Sequence, residues 1–409
     1  MITDKNGIIS DALPQLGENV DRYRVIAELA HGGMAAVYVV HRQAAGFDKL
    51  FAMKVMLPHL RSDTQYVGMF LDEAQIGSQI QHPNVVQIFD VGDRNGSPFM
   101  VMELLRGKSL AQLLKMQASQ QISIPHGLLF WILARVAEGL HAAHVAVSHN
   151  NQALNVIHRD VSYQNIHIGY DGQVKIVDFG IADAESRMSK TRTGEVLGKL
   201  QYMAPEQFHR KDPVDHRVDV WALGVVAWRV LSRRSLFRGK SDADTMWNVV
   251  HGDVPDISRA ARSPIPTEVA NLIMSCLRRP PGERPASAAQ LADVFHRAAL
   301  AEGGGAQPLA SFMEQIFAED KRTEDTALAE AMEDPVGFSE NSVLKVLERP
   351  GSQDSISVES EVLVVPPVEH VQPAGLEKRG GLSTTRVVLL LSVLLAGGSV
   401  AAWIGFGGV

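Results

Sequence analysis

The chain has 409 residues, 45% of them apolar and 21% charged, and a formal net charge of −7. That length holds two ordinary domains or one large domain with appendages, and the acidic balance excludes a general nucleic-acid binder. One cysteine, Cys276, excludes an internal disulfide and fits a reducing compartment.

In chain order, Met1 to Asn6 carries no apolar run of the kind a signal peptide needs, and residues 1–22 read as a polar leader. Tyr23 to Leu29 alternates like a strand, Ala30 to Ala36 is a turn of small residues containing Gly32 and Gly33, and Val37 to Val40 is a second strand. Such a hairpin tip lets backbone N–H groups approach a polyphosphate, although many hairpins end in Gly-Gly. Phe51 to Met56 is an apolar strand with Lys54 inside it. A lysine in a buried strand needs a partner. Glu73 is the candidate, beside the helical stripe Val67, Phe70, Leu71 and Ala74. His141 and His144 have the spacing for a metal on a helix face, but no partnered cysteine or carboxylate cluster surrounds them, so they read as helix packing near the loop that follows.

That loop carries the chemistry. His158-Arg159-Asp160 is followed by Asn165, then by Asp178-Phe179-Gly180, then by Ala204-Pro205-Glu206. An acid that can take a proton, with an amide and a second acid that can hold metal ions, is what phosphoryl transfer requires. One Asp-Phe-Gly is common by chance; the ordered set is specific. Between Asp178 and Glu206, Ser186, Ser189, Thr191 and Thr193 lie among Arg187, Lys190 and Arg192, which suggests control by phosphorylation. Further on, Cys276 beside Leu272, Met274 and Leu277 reads as a buried thiol on a core helix.

Gly303-Gly304-Gly305 ends the dense region. Leu309, Phe312, Met313, Ile316 and Phe317 then have helical spacing, which predicts an amphipathic extension over 300–322. Residues 302–386 hold 16 acidic and 7 basic side chains, and 323–386 read as a disordered acidic linker whose only strand-like island is Val362 to Val365. Val387 to Val409 is 23 residues without a charge. As a helix it would span about 34 Å, enough to cross a hydrocarbon core. Lys378, Arg379 and Arg386 precede it, which predicts a single-pass anchor at the cytoplasmic (inner) membrane with the preceding chain in the cytoplasm. Small residues four apart, such as Gly397 and Ala401, offer a face for a homodimer through that helix.

The ordered motifs from about 23 to 298 resemble the eukaryotic-like (Hanks-type) protein kinases, and the layout resembles the membrane-anchored bacterial serine/threonine members. The resemblance implies an α+β, two-lobed protein kinase fold over 23–299, with a small β-rich lobe (about 23–102) and a large helical lobe (about 106–299), followed by the single C-terminal transmembrane helix. It implies ATP and Mg²⁺, with Mn²⁺ as an alternative, and protein substrates. Asp160 matches the catalytic base, Asn165 and Asp178 the metal ligands, and Lys54 the phosphate-holding lysine paired with Glu73. ATP contacts fall on Leu29, Ala30, Gly32, Gly33, Ala35, Val37, Ala52, Lys54, Met102 at the gatekeeper position, Glu103 and Leu105. Arg159 is expected to tie the catalytic loop to a phosphorylated activation segment, with Thr191, Thr193 and Ser189 as acceptors. Glu206 and Arg284 match a buried ion pair, and Asp219 matches the anchor of the catalytic loop.

Three departures from that pattern stand out. Ala30 and Ala35 replace two of the three glycines of the phosphate loop. Ser162 stands where serine/threonine kinases carry a lysine two residues after the base. Lys199 stands where the Gly-Thr-x-x-Tyr pattern has threonine. The paired swap suggests that Lys199 brings the missing ammonium to the γ-phosphate from the other side. The expected function is ATP-dependent transfer to Ser or Thr hydroxyls, with autophosphorylation of the activation segment in membrane-linked signalling. A weak or inactive pseudokinase scaffold is the alternative, supported by Ala30, Ala35 and Ser162, and tyrosine specificity rests on Ser162 and Lys199.

Overall fold

The computed structural model describes residues 13–44, 46–148, 150–179, 199–208 and 214–335. Its first half is a six-stranded antiparallel sheet in the order β1-β2-β3-β4-β6-β5, built from β1 (Asn19–Val20), β2 (Tyr23–His31), β3 (Ala35–Ala44), β4 (Phe47–Met56), β5 (Ile88–Arg94) and β6 (Ser97–Glu103). β3 and β4 pair without a register break from Ala35↔Met56 to Ala44↔Phe47. The β5–β6 turn is Asn95-Gly96, both at positive φ (52° and 79°), the geometry that matches strand twist in a two-residue hairpin.

Alternation along these strands gives the sheet two apolar faces. One buries Val25, Tyr38, Val40, Phe51, Met53, Val55 and Val101. The other receives α1 (Thr64–Gln79), whose Phe70 and Ala74 pack with Met56, Ile88 and Met100. Asp63 caps α1, its side chain accepting the Gln65 N–H. Residues 13–22, expected to be leader, belong to this lobe. Asn19–Val20 pair with β2, Leu13 and Leu16 cover the first face, and Glu18 binds Arg94 at 2.7 Å. Their short length and mixed polarity hide this, because β1 is only two residues long.

The second lobe starts with β7 (Gly107–Ser109), which pairs with β8 (Ile166–Gly169), itself paired with β9 (Val174–Ile176). Ser109 opens α2 (Leu110–Ser119) with a reciprocal capping box to Gln112. α3 (His126–His144) and α4 (Arg217–Ser232) are buried on nearly every side. Around them pack α5 (Asp242–His251), α6 (Ile257–Ala260), α7 (Thr267–Cys276) and α8 (Ala288–Ala301). Trp221, Trp228, Phe130, Phe237 and Phe295 fill this core. Cys276 is 1% exposed, and burial pushes its thiol up to about 12. α7 lies so close to α4 that a Cβ at Gly224 would come within 2.7 Å of the Cys276 Cβ.

After Gly303–Gly305 come α9 (Ala306–Ile316) and α10 (Ala318–Glu333). The predicted linker from 323 is therefore corrected over its first eleven residues, which are helical. Alanine and glutamate are strong helix formers, and Glu319 and Asp320 in the first turn suit the helix N-terminus. The candidate span 387–409, the island Val362–Val365, and the hydroxyls Ser186, Ser189, Thr191 and Thr193 lie outside the described residues. Among the described residues no helix is long and apolar enough to cross a membrane.

Candidate active site

The cleft between the lobes has the lining of a small-molecule site, apolar side chains with a few convergent polar groups. Leu29 of β2, Val37 and Val39 of β3 and Ala52 of β4 line it from above. Met102, Glu103, Leu104 and Leu105, where the chain crosses between lobes, form its back. Of the residues expected to meet ATP, the structure gathers Leu29, Val37, Ala52, Lys54, Met102, Glu103 and Leu105 on this lining. Ala30, Gly32, Gly33 and Ala35 instead form the hairpin end beyond it. There Gly32 N–H donates to the Ala35 carbonyl at 3.0 Å, and Ala35 packs into the small-lobe core beside Met56 and Phe70. The Ala35 methyl thus has a structural task that a glycine could not perform.

Lys54 projects from the centre of β4, opposite Met100 of β6 and Val37 of β3. Its Nζ donates to Glu73 Oε1 at 2.7 Å and to Asp178 Oδ1 at 3.3 Å. Burial works against the ammonium, but the carboxylates of Glu73 and Asp178 outweigh it and raise the lysine above its usual range. Burial also pushes Glu73 up, while Lys54 draws it back. The pair joins α1 to the sheet.

The loop after α3 is held from beneath by one carboxylate. Asp219, at the start of α4 and 0% exposed, accepts N–H bonds from His158 and Arg159, each at 2.8 Å, and a bond from His144 Nε2 at 2.8 Å. Burial alone would raise Asp219, yet its bonds to His144 and His158 outweigh it and hold the carboxyl below its ordinary value. His144 was expected to pack near this loop and does so through Asp219. Two loop residues, Arg159 (φ 60°) and Asp178 (φ 56°), adopt the left-handed backbone region, a conformation retained at functional sites when the surroundings enforce it. Phe179 is buried beside His158, ring centroids 4.6 Å apart, and packs with Ile80, Val85 and Val156.

Asp160 Oδ2 accepts from Asn165 Nδ2 at 2.9 Å and from Lys199 Nζ at 2.6 Å. With the amide nitrogen of Asn165 engaged on Asp160, its oxygen is the group left to meet a cation. Asn165 and Asp178 therefore fit Mg²⁺, which takes few protein oxygens and completes its shell from phosphate and water. Ser162 is 0% exposed, and its Oγ has no hydrogen-bond partner among the described residues. Nothing polar reaches the active site from that side chain.

Glu206 and Arg284 form the expected buried pair, at 2.7 and 2.8 Å. The carbonyls of Arg217, Arg278 and Arg279 take further guanidinium donors. Every charge-bearing fork is thus matched, which a buried arginine requires.

Sequence reasoning missed Val39, Val86, Gln164, His167 and Val177 on the lining, and also Glu324 and Leu328 of α10. Gln164, His167 and Val177 flank motifs already recognised, so their offset from Asn165 and Asp178 is a usable signal. Lys175, which binds Glu103 at 2.8 Å behind the cleft, carried none.

A family model described as "Protein kinase domain" matches residues 23–296. The chain belongs to the protein kinase family. Among similar proteins, "Tyrosine-protein kinase MasK" of Myxococcus xanthus is 37% identical over 306 residues, covering 74% of this chain and 47% of that protein. "Serine/threonine-protein kinase PknL" of Mycobacterium tuberculosis is 34% identical over 267 residues, covering 65% of this chain and 63% of the other. "Serine/threonine-protein kinase PrkC" of Bacillus subtilis is 30% identical, covering 64% of this chain and 38% of that protein. The chain thus spans less than two thirds of the length of these relatives. The crystal structure of the Mycobacterium tuberculosis PknI kinase domain aligns with 70% of this chain and all of its own at a TM-score of 0.52 and 24% identity, a likeness of fold. The two-lobed kinase fold expected from the motifs is the fold observed.

Proposed function

We propose that this protein kinase transfers the γ-phosphate of ATP to Ser or Thr hydroxyls of proteins. The observation that carries the reading is the assembled set: Lys54 is closed on Glu73 with Asp178 at 3.3 Å, and Asp160 is held by Asn165. Lys54 holds the α- and β-phosphates. Mg²⁺ on Asn165 and Asp178 neutralises charge on the phosphates when bound. Asp160 orients the acceptor hydroxyl and takes its proton. The intact set also weighs against a scaffold without chemistry.

Lys199 is assigned to the γ-phosphate. The catalytic loop offers Ser162 where an ammonium is usual, and Lys199 Nζ stands 2.6 Å from the base. An ammonium there faces the charge that develops on the transferring group. Phosphorylation of the activation segment at Thr191, Thr193 or Ser189, read out through Arg159, is part of the proposal, as is anchoring of the chain at the inner membrane by 387–409 with the kinase domain in the cytoplasm and a dimer through that helix.

The test is labelling with Mg²⁺ and ATP of the full chain against Lys54→Met, followed by phosphoamino-acid analysis. Phosphoserine or phosphothreonine in the wild type alone is expected. Label in neither protein would favour the scaffold, and phosphotyrosine, the residue class in the name of the Myxococcus relative, would overturn the acceptor assignment.

A further inference from the structure

Helix α10 lies outside the matched domain, which ends at 296, yet two of its side chains line the cleft. Leu328 is 7% exposed and packs with Ile26, Ala27 and Val39 of the small lobe, with Leu29 and Leu104 alongside. Leu29, Val39 and Leu104 are themselves lining residues. One turn earlier Glu324, 1% exposed, accepts from Lys108 at 2.9 Å and from Tyr170 at 2.8 Å, both in the large lobe. Asp320 takes the same lysine at 3.0 Å, and Asp325 binds Arg106. A single helix thus touches both lobes where they meet.

We propose that α10 is a wall of the nucleotide site, with Leu328 closing its apolar end and Glu324 setting its polar rim. The inference rests on reading the cleft as an ATP site. Two observations support a wall over an obstruction. Leu328 extends the same apolar surface that Leu29 and Val39 begin, so it adds contact area for a flat aromatic ring. Glu324 has its charge matched by Lys108, and Tyr170 donates to the same oxygen, Oε1, so part of its negative potential is compensated before a polyphosphate meets it. Because α10 grips β2 and β3 on one side and Lys108, Arg106 and Tyr170 on the other, its docking also fixes the spacing between the surfaces that sandwich the ligand. Nucleotide binding and helix docking are then coupled, and the coupling is reciprocal.

The experiment measures Mg²⁺–ATP affinity by calorimetry on the full chain, alongside amide hydrogen exchange over 318–333. Leu328→Asp should weaken ATP binding about ten-fold or more and raise exchange across α10, as expected for an apolar wall replaced by a charge. Leu328→Met should bind like the wild type, as should Glu330→Gln on the exposed side. ATP added to the wild type should slow exchange in 318–333. If Leu328→Asp melts early, Leu328→Ala carries the same expectation at about three-fold. Equal affinity in a variant whose α10 exchanges freely overturns the proposal, as does tighter binding, which would make α10 an obstruction. A wild type that does not bind ATP sinks the reading of the cleft itself and this inference with it.

Discussion

Lys199 donates to the candidate base Asp160 at 2.6 Å, and its role can be tested at that residue alone. If it meets the γ-phosphate, Lys199→Thr should lower kcat on the order of 10²-fold, the effect of removing one preorganised donor from developing charge. KM for ATP should stay within about three-fold, because Lys54 and the apolar lining remain. Steady-state kinetics at saturating peptide checks this, and an unchanged kcat would return Lys199 to the solvent. At this scale the sequence was legible wherever motif order names a role. Lys54, Glu73, Asp160, Asn165 and Asp178 converge as expected, because each sits at a fixed offset from a strand or loop the motif specifies. Val86 escaped notice because only the tertiary approach of its loop brings it to the cleft. The methyl of Ala35, at a position where the phosphate-loop pattern has glycine, packs into the small-lobe core.

Between elements, the catalytic loop depends on α4 through Asp219. A carboxylate whose pKa falls on folding stabilises the native state above its unfolded value, near 4, and that contribution is lost as pH falls through the lower folded value. Wild-type stability should therefore drop as pH is lowered below about 4, and Asp219→Asn should be less stable at neutral pH with a flatter acid limb. Urea melts from pH 7 to pH 3 measure both slopes; parallel profiles would mean that Asp219 does not titrate differently on folding. The dependence of this loop on α4 was implied by the family resemblance. Its reinforcement by His144 was visible only as a histidine pair with no metal partners.

Across the whole molecule, composition misread both margins of the domain. Residues 13–22 looked polar, yet Leu13 and Leu16 cover a sheet face. Residues 323–333 looked like the start of an acidic linker because only Ala327, Leu328 and Ala331 bury an apolar stripe. The acidic residues that suggested disorder are those that hold the helix down. Asp320, Glu324 and Asp325 find Lys108 and Arg106 more than 200 positions away in sequence, and no local pattern announces such partners. An acidic segment is solvated only when no buried cation waits for it.

The single cysteine has a practical consequence for watching all of this move. Cys276 lies under α4 with its thiol held neutral by burial, and alkylating reagents attack the thiolate. Native protein should resist iodoacetamide at pH 8 for hours while urea-unfolded chain reacts within minutes, a difference mass spectrometry reads directly; rapid native labelling would mean that the large lobe opens often. The chain is in effect a cysteine-free background in its folded form. A dye placed on a new cysteine at Thr326 would report α10 alone, without first engineering away the native thiol.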